Sequence, residues 1–461
     1  MWKAGALWGL SLLAVHVLSI GARAGDCKDT LPTTGCPVPE LQVFDDLMIS
    51  YMCSRDIKAG VLAIMKDGVI VFERGYGWKD EAQTTPHRQD ALMRVASVTK
   101  PFTAAAIRVL IQDGKLSLDT KAFNLGQPGG GVLDLEPFPS LGDARLADIT
   151  IEHLLTHRGG WNRSLVGDLT YMEIPIANAM GIPSPPGREN TVRYILGQPL
   201  QHTPGQVSAY SNIGYLVLGL IVEKVSGQEL VQFIHDRVLS PIGVPRTEFE
   251  RGRTFPEDQS PREPWYDNSG QFGVNVFDPN GPFVPTPYGV YDHEARVGQG
   301  AAITTTRTIL RYLNARYISG DNIGLPRPET VPWGWRWNHT GSLYGVNALA
   351  RQRGDGVNYA IIFNHRPASG DHSANMIGFM DNILDNTTIN WPTRTPCDDG
   401  DVNCDGVVSV TDIGPFVVAL TEPQTFSTHY PGCFLERADM NHDGVVSEAD
   451  IAGLVSRIIG D

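Results

Sequence analysis

The chain has 461 residues, 42% of them hydrophobic and 19% charged, and a net charge of −14. That composition is ordinary for a folded globular protein, and the length exceeds what one core holds, so two or more domains are expected. The charge is uneven: residues 397–461 carry 12 acidic residues against 2 arginines, a net of −10, leaving −4 for everything before them. An acidic tail of this kind excludes nucleic acid and anionic membrane surfaces as partners.

The first 24 residues read as a secretory leader. Lys3 gives a positive start, an apolar run covers residues 6–20, and Ala22-Arg23-Ala24 forms a small-residue cleavage site before Gly25. A retained anchor is the alternative, but the run is short and contains His16. No later run is apolar enough to span a bilayer, so an exported, soluble mature protein is expected. Six cysteines agree with an oxidising compartment: Cys27, Cys36 and Cys53 near the start, Cys397, Cys404 and Cys433 near the end. Three and three cannot all pair within their own clusters. Either one bridge joins the two ends or two thiols stay free.

Next come β-rich runs at 60–65 and 69–73 around Lys66-Asp67-Gly68, a hairpin signal. A helix is predicted over 98–113, with Gly114 ending it. Residues 150–244 alternate helical segments with Pro/Gly breaks, the clearest helix lying at 214–225. Residues 254–292 are rich in proline, glycine and aromatics, the pattern of a long irregular loop able to wall a cleft. Runs at 345–352 and 358–364 form a second hairpin, followed by a helix over 371–385. Hairpins at both ends of a helical middle predict an α+β fold. Its antiparallel sheet joins N- and C-terminal strands, is flanked by helices, and carries a helical subdomain. The expected layout is a catalytic domain over 25–392, a linker over 393–399, and a small all-α calcium-loop domain over 400–461.

Three short motifs carry chemistry. Ser97-Val98-Thr99-Lys100 opens the first strong helix, and a spacing of three puts Ser97 and Lys100 on one face. Backbone N–H groups at a helix start favour developing negative charge. A buried lysine can lose its proton and serve as the base that activates the serine. Second is Tyr210-Ser211-Asn212, whose phenol can relay protons and whose amide can hold a substrate carbonyl. Tyr266-Asp267-Asn268 has the same spacing, but the first copy sits between His202-Thr203-Pro204-Gly205 and an apolar helix. Third is His339-Thr340-Gly341-Ser342, leading into the second hairpin. Gly341 at a strand edge would let substrate approach closely, and the Ser342 N–H could donate to an oxyanion. His157-Arg158-Gly159 also fits His-x-Gly and reads as structural, in the loop after a helix. There is no Gly-x-Ser-x-Gly elbow and no His-Glu-x-x-His zinc helix.

These motifs, in this order, resemble the serine β-lactamase and penicillin-binding superfamily over roughly residues 41–385. The tyrosine form of the second motif is similar to class C β-lactamases and their esterase and D-aminopeptidase relatives. The IEHLLTHRGG (151–160) and GAAITTT (300–306) segments are also similar to that family. The resemblance implies a β-lactamase/transpeptidase-like fold with Ser97 as acyl-enzyme nucleophile. Lys100 and Tyr210 would share base and acid duties, Asn212 would orient substrate, and the N–H groups of Ser97 and Ser342 would form the oxyanion hole. No cofactor is implied for the catalysis. One departure matters. The family's third motif usually begins with lysine, which helps hold a substrate carboxylate, whereas this chain has His339 there and no lysine after Lys224. Near neutral pH a histidine is not reliably charged. Esters or D-amino-acid-containing peptides and amides are therefore the expected substrates. A β-lactamase or peptidoglycan DD-peptidase is the second reading, and a catalytically silent penicillin-binding-like module is the third.

The tail repeats one pattern twice. Asp401, Asn403, Asp405, Ser409 and Asp412 supply oxygens at positions 1, 3, 5, 9 and 12, with Gly406 at 6 and the Val407 carbonyl at 7. Asp439, Asn441, Asp443, Gly444, Val445, Ser447 and Asp450 repeat it. Two structural calcium sites are predicted, each leading into one helix, near 411–420 and 448–459. A loop-helix pair ending in Asp resembles dockerin domains, which implies anchoring to a cohesin-type protein module. The helix starts differ between copies, Val410-Thr411 against Glu448-Ala449, so symmetric dual binding does not follow, and a tail that only stabilises the chain through calcium is the alternative.

Overall fold

The computed structural model describes residues 24–126, 129–328, 331–393, 399–403, 408–430, 433, 435–441 and 445–459. The leader, apart from Ala24, lies outside the described residues, as do Cys397, Cys404, Asp405, Val407 and Asp443.

A six-stranded antiparallel sheet organises the chain in the order β1-β3-β2-β11-β10-β9. Its strands are β1 (Thr33–Thr34), β2 (Ala59–Lys66), β3 (Val69–Gly77), β9 (Arg336–Leu343), β10 (Val346–Arg353) and β11 (Val357–Phe363). Between them in sequence, β4 (Met93–Arg94), β5 (Phe249–Arg251) and β8 (Ala302–Thr304) form a second small sheet. A third pairs β6 (Phe272–Gly273) with β7 (Val284–Pro285). The predicted first hairpin turns on Asp67 and Gly68, both at positive φ (50° and 85°), which matches the twist of the strands it joins. As expected, N- and C-terminal strands meet: β11 pairs with β2 from Val357↔Lys66 to Phe363↔Gly60.

Alternation along the strands feeds two cores. Leu62, Ile64, Leu349 and Ile361 face Phe44, Met48 and Met52 of the helix Gln42–Arg55, and Met376 and Met380 of the helix His372–Asn386. The spacing of four in Phe44, Met48 and Met52 puts them on one helix face. Val61, Ala63, Ala348 and Ala360 face the other way, toward Phe102, Ala105, Ile309 and Leu313. Small residues on that face let the helix Thr306–Ala315 lie close to the sheet, with Thr99–Gln112 in the same core. The middle of the chain supplies the helical subdomain, including Ile151–Leu155, Glu173–Met180, Gly187–Leu196 and Asn212–Ser226. The last of these begins two residues before the predicted start, with Asn212 as its first residue.

Described residues after 399 carry helices only, chiefly Ile413–Thr421 and Ile451–Ile459, around a cluster of Val402, Phe416, Phe426 and Leu454. A short turn of 3-10 helix, Leu435–Ala438, precedes the second loop, where the sequence gives no clear helix. This part touches the rest of the chain through ion pairs. Arg307 bonds Asp399 at 2.9 Å, and Arg88 bonds Asp439 at 3.2 Å. The expected linker thus ends on a residue clamped to the catalytic domain. Cys27 pairs with Cys53, and Cys36 and Cys433 are also oxidised. With Cys27 and Cys53 used, Cys36 must reach a tail cysteine, so of the two alternatives the bridge between the ends holds. Among the described residues no helix is long and apolar enough to cross a membrane.

Candidate active site

The chain enters the site through β4 and a left-handed Ala96 (φ 47°), a conformation rare outside glycine, directly before Ser97. The 3-10 turn Ala96–Val98 then runs into the helix Thr99–Gln112, so Ser97 and Lys100 stand one turn apart as the spacing predicts. Lys100 is 0% exposed, and its Nζ reaches three oxygens: Ser97 Oγ at 3.1 Å, Asn212 Oδ1 at 2.7 Å and Gln299 O at 2.7 Å. Burial pushes its pKa below the ordinary lysine value. Once deprotonated, the amine can keep donating to Asn212 and Gln299 while its lone pair turns to Ser97. Tyr210 completes the group, its hydroxyl donating to Ser97 Oγ at 2.7 Å.

Asn212 is tied into the protein. Both ends of its amide are engaged within the protein, Oδ1 by Lys100 and Nδ2 with Asp168 Oδ2 at 2.6 Å. It orients the lysine before it orients any substrate. Asp168 also accepts from the Thr170 hydroxyl at 2.7 Å, and Gln299 Nε2 donates to that hydroxyl at 3.1 Å. The result is a closed polar ring that holds Lys100 in place.

His157 sits at φ 57° in the loop after Ile151–Leu155, its ring 4.7 Å from that of Tyr210. Its Nδ1 accepts from the Ser211 N–H at 3.2 Å, and burial lowers its pKa to about 4, so it is a neutral prop for the tyrosine loop. Arg163 also lies over the Tyr210 ring, 4.5 Å from its centroid, with Asp168 at 4.0 Å.

The third motif lies on β9, the edge strand. Gly341 is required there for a reason other than substrate approach: a Cβ would fall 2.1 Å from the Val95 carbonyl oxygen. The missing side chain lets β9 press against the turn that carries Ser97. Ser342 follows it, exposed, on the same edge as the nucleophile. His339 Nε2 is shut off from solvent with no hydrogen-bond partner among the described residues. Burial, then the charge of Lys100, lowers its pKa to about 3, so it is uncharged near neutrality. Tyr266, from the rival Tyr-x-Asn, instead bonds Glu263 and the Arg94 N–H in the interior.

Ser97 opens onto two clefts. One, about 550 Å³, is lined by Tyr210, Ser208, His157, Asn338, His339 and Thr340. The other, about 720 Å³, is walled by Asp168, Tyr171, Asn212, Phe272, Tyr344 and Arg366. Ser97, Arg163 and Ser342 border both. Phe272, Thr286 and Val290 come from the irregular region expected to wall a cleft. Sequence reasoning brought Ser97, Lys100, Tyr210, Asn212, His339, Gly341 and Ser342 to one place. It missed Asp168, Arg163 and Gln299. Gln299 directly precedes the GAAITTT segment, whereas Asp168 has no local signal.

In the tail, Asp412 and Asp450 are 0% exposed and bind their own loops alike. Asp412 accepts from Asn403 N at 2.9 Å and Ser409 N at 2.8 Å, and Asp450 from Asn441 N at 2.9 Å and Ser447 N at 2.8 Å. Asp401 bonds Arg437 at 2.8 Å.

Comparison with known proteins places this geometry. A family model described as Beta-lactamase matches residues 44–376. Esterase EstB of Burkholderia gladioli is 32% identical over 194 residues, covering 41% of this chain and 46% of the relative. Protein flp of Staphylococcus aureus (strain MW2) is 29% identical over 211 residues, covering 46% and 38%. The chain thus matches less than half the length of these curated relatives. Among solved structures, the D-amino acid amidase from Ochrobactrum anthropi SV3 complexed with D-phenylalanine has a TM-score of 0.53 at 19% identity, covering 76% of this chain and 98% of that one. The octameric penicillin-binding protein homologue from Pyrococcus abyssi has a TM-score of 0.51 at 22% identity, covering 75% and 77%. Identities this low speak for the fold, an α+β β-lactamase/transpeptidase-like one. The family match runs from the helix before the first hairpin to the helix after the second and contains every catalytic motif: the chain belongs to the beta-lactamase family.

Proposed function

We propose that the protein is an exported serine hydrolase of the class C type that forms an acyl-enzyme at Ser97 and acts on esters. Amides and peptides containing D-amino acids are the second substrate class. The observation that carries this is the pair of contacts on Ser97 Oγ, 3.1 Å from a buried lysine amine and 2.7 Å from a tyrosine hydroxyl. Neutral Lys100 takes the Ser97 proton as Oγ bonds to the substrate carbonyl carbon. The resulting oxyanion is met by the N–H groups of Ser97 and Ser342. As the carbonyl–oxygen bond to the leaving group breaks, Tyr210 gives that group its proton and is reprotonated by Lys100. Water then attacks the acyl carbon by the reverse proton path, releasing the acid and restoring Ser97. The curated relative named as an esterase supports esters first. Uncharged His339 argues against efficient capture of the carboxylate that β-lactams and DD-peptides carry beside the scissile bond. The ordered Lys100–Asn212–Asp168 ring argues against a silent module.

The test is intact-protein mass spectrometry with a fluorophosphonate. One adduct on the native chain and none on Ser97→Ala is expected; an unmodified native chain overturns the reading. Turnover of an aryl ester above that of a D-amino-acid anilide and a chromogenic cephalosporin then ranks the substrates. Faster cephalosporin turnover would make it a β-lactamase.

For the tail, the proposal is two structural calcium ions and a dockerin-like anchoring role toward a cohesin-type module. The donor set fits a hard cation: carboxylate, amide, hydroxyl and carbonyl oxygens throughout. Asp401, Asn403, Asp405, Ser409, Asp412 and the Val407 carbonyl would hold one ion. Asp439, Asn441, Asp443, Ser447, Asp450 and the Val445 carbonyl would hold the other. Two carboxylates in each loop, Asp401 with Asp412 and Asp439 with Asp450, are at most 3% exposed, and a divalent cation offsets that crowding. Calorimetric titration with calcium is expected to give two sites, both lost in Asp412→Ala/Asp450→Ala; no binding to the native chain rejects the proposal.

A further inference from the structure

The second cleft has a charge that the proposed chemistry does not use. Arg366 lines it and stands 5.2 Å from the centroid of the Tyr344 ring, exposed and without an ion pair among the described residues. Arg163, on the rim between the clefts, is 49% exposed at its side chain. One carboxylate, Asp168, faces them, and both its oxygens are already engaged: Oδ2 by Asn212 at 2.6 Å, and Oδ1 by the Thr170 N–H at 3.1 Å and hydroxyl at 2.7 Å. The cleft therefore holds two guanidinium groups and one carboxylate; Asp168 lies 4.0 Å from Arg163, which leaves the charge of Arg366 uncompensated among the lining residues. Aromatic walls, Tyr171, Phe272 and Tyr344, surround them.

The position of Tyr210 decides which part of a substrate meets this charge. Its hydroxyl protonates the leaving group, and Tyr210 borders the first cleft but not the second. The leaving group then departs through the first cleft and the acyl group occupies the second. Resting on the serine-hydrolase reading above, we propose that the acyl portion of the substrate carries a carboxylate, received by Arg366 together with Arg163. A guanidinium fork matches a carboxylate in two parallel hydrogen bonds. The same pair repels an acyl group with a free ammonium, so α-amino acyl substrates are disfavoured. An acyl-side carboxylate is distinct from the one beside the scissile bond that His339 fails to hold.

Three 4-nitrophenyl esters of matched acyl length test this: the hydrogen glutarate (anionic), the pentanoate (neutral) and the 5-aminopentanoate (cationic). The leaving group is constant, so only acyl charge varies. At low salt the native enzyme is expected to favour glutarate over pentanoate by about ten-fold in kcat/KM, through KM, and the cationic ester to be slowest. Arg366→Ala should erase about ten-fold of the glutarate-to-pentanoate ratio, and Arg366→Lys should restore part of it. Calorimetry with glutarate reads the same site without turnover, with binding expected to weaken about ten-fold in Arg366→Ala. A native preference for the neutral or cationic ester, or a ratio that Arg366→Ala leaves unmoved, overturns the anionic cleft while hydrolysis stands. Arg366-dependent glutarate binding in a protein that hydrolyses none of the esters and takes no adduct at Ser97 keeps the anion site and overturns the hydrolase reading.

Discussion

Burial of Lys100 beside Ser97 sets the pH behaviour of the site. Desolvation disfavours the ammonium, so the amine loses its proton below the ordinary 10.5. The expected outcome is a kcat/KM that rises with pH and levels off below pH 10.5. Lys100→Arg, permanently charged, should have no rising limb and an activity lower by roughly 10²- to 10⁴-fold. The same shift links to folding. Between the lowered folded value and 10.5 the unfolded chain binds more protons, so native stability should rise with pH across that window. Tyr210→Phe keeps the ring against His157 and Arg163 but removes the hydroxyl. A loss in kcat of roughly 10²- to 10⁴-fold with little change in KM is expected from steady-state kinetics, because the proton to the leaving group is lost. His339 contributes no limb: with a pKa of about 3 it stays neutral through the assayed range, and His339→Gln should leave the shape of the profile unchanged.

At the level of elements, the contact between β9 and the Ala96–Val98 turn joins sheet to nucleophile. Gly341→Ala would put a methyl group 2.1 Å from the Val95 carbonyl oxygen, and backbone on both sides leaves nothing flexible to yield. The strand must shift outward, carrying the Ser342 N–H away from Ser97. A loss of about 1–3 kcal/mol in chemical unfolding is expected, with a larger proportional loss of activity. Both hairpins were legible because alternation and turn residues are local signals, and Ser97–Lys100 because helical spacing is local too. The reason for Gly341 was not, since its partner Val95 lies far away in the sequence. Asp168 was illegible for the same cause: nothing beside it predicts that it will grip the Asn212 amide. Motif order told which residues converge, but the direction in which Asn212 spends its hydrogen bonds appeared only with the fold.

Across the whole molecule, buried neutral histidines make stability depend on pH. His87 is 1% exposed, burial lowers its pKa to about 3, and neither ring nitrogen has a partner among the described residues. Its folded value lies below the ordinary 6.5, so its contribution is complete above pH 6.5 and is lost progressively as pH falls toward 3. Thermal unfolding should shift to lower temperature over that range, and His87→Phe should flatten the slope. The tail is held by a different set of bonds. Arg307 joins Asp399 to Glu73, Arg88 joins Asp439 to Asp90, and Arg437 Nη2 lies 3.1 Å from Cys36 Sγ. These contacts converge on the edge of the catalytic domain where Cys36 sits, and Cys36 is oxidised while Cys27 and Cys53 pair with each other. Cysteine counting alone left a choice between a bridge from end to end and two free thiols; the oxidised state of Cys36, with Cys27 and Cys53 already paired, removes it. Non-reducing peptide mapping should therefore recover the Cys36 peptide covalently joined to a peptide from beyond residue 396, separating on reduction. A Cys36 that alkylates without reduction, or one bonded to Cys27 or Cys53, would detach the tail from this account. In Cys36→Ser the ion pairs remain. Because these pairs are partly buried, salt screens them only weakly, so the tail should become slightly more open to proteolysis as salt is raised, while Ser97 keeps its fluorophosphonate reactivity.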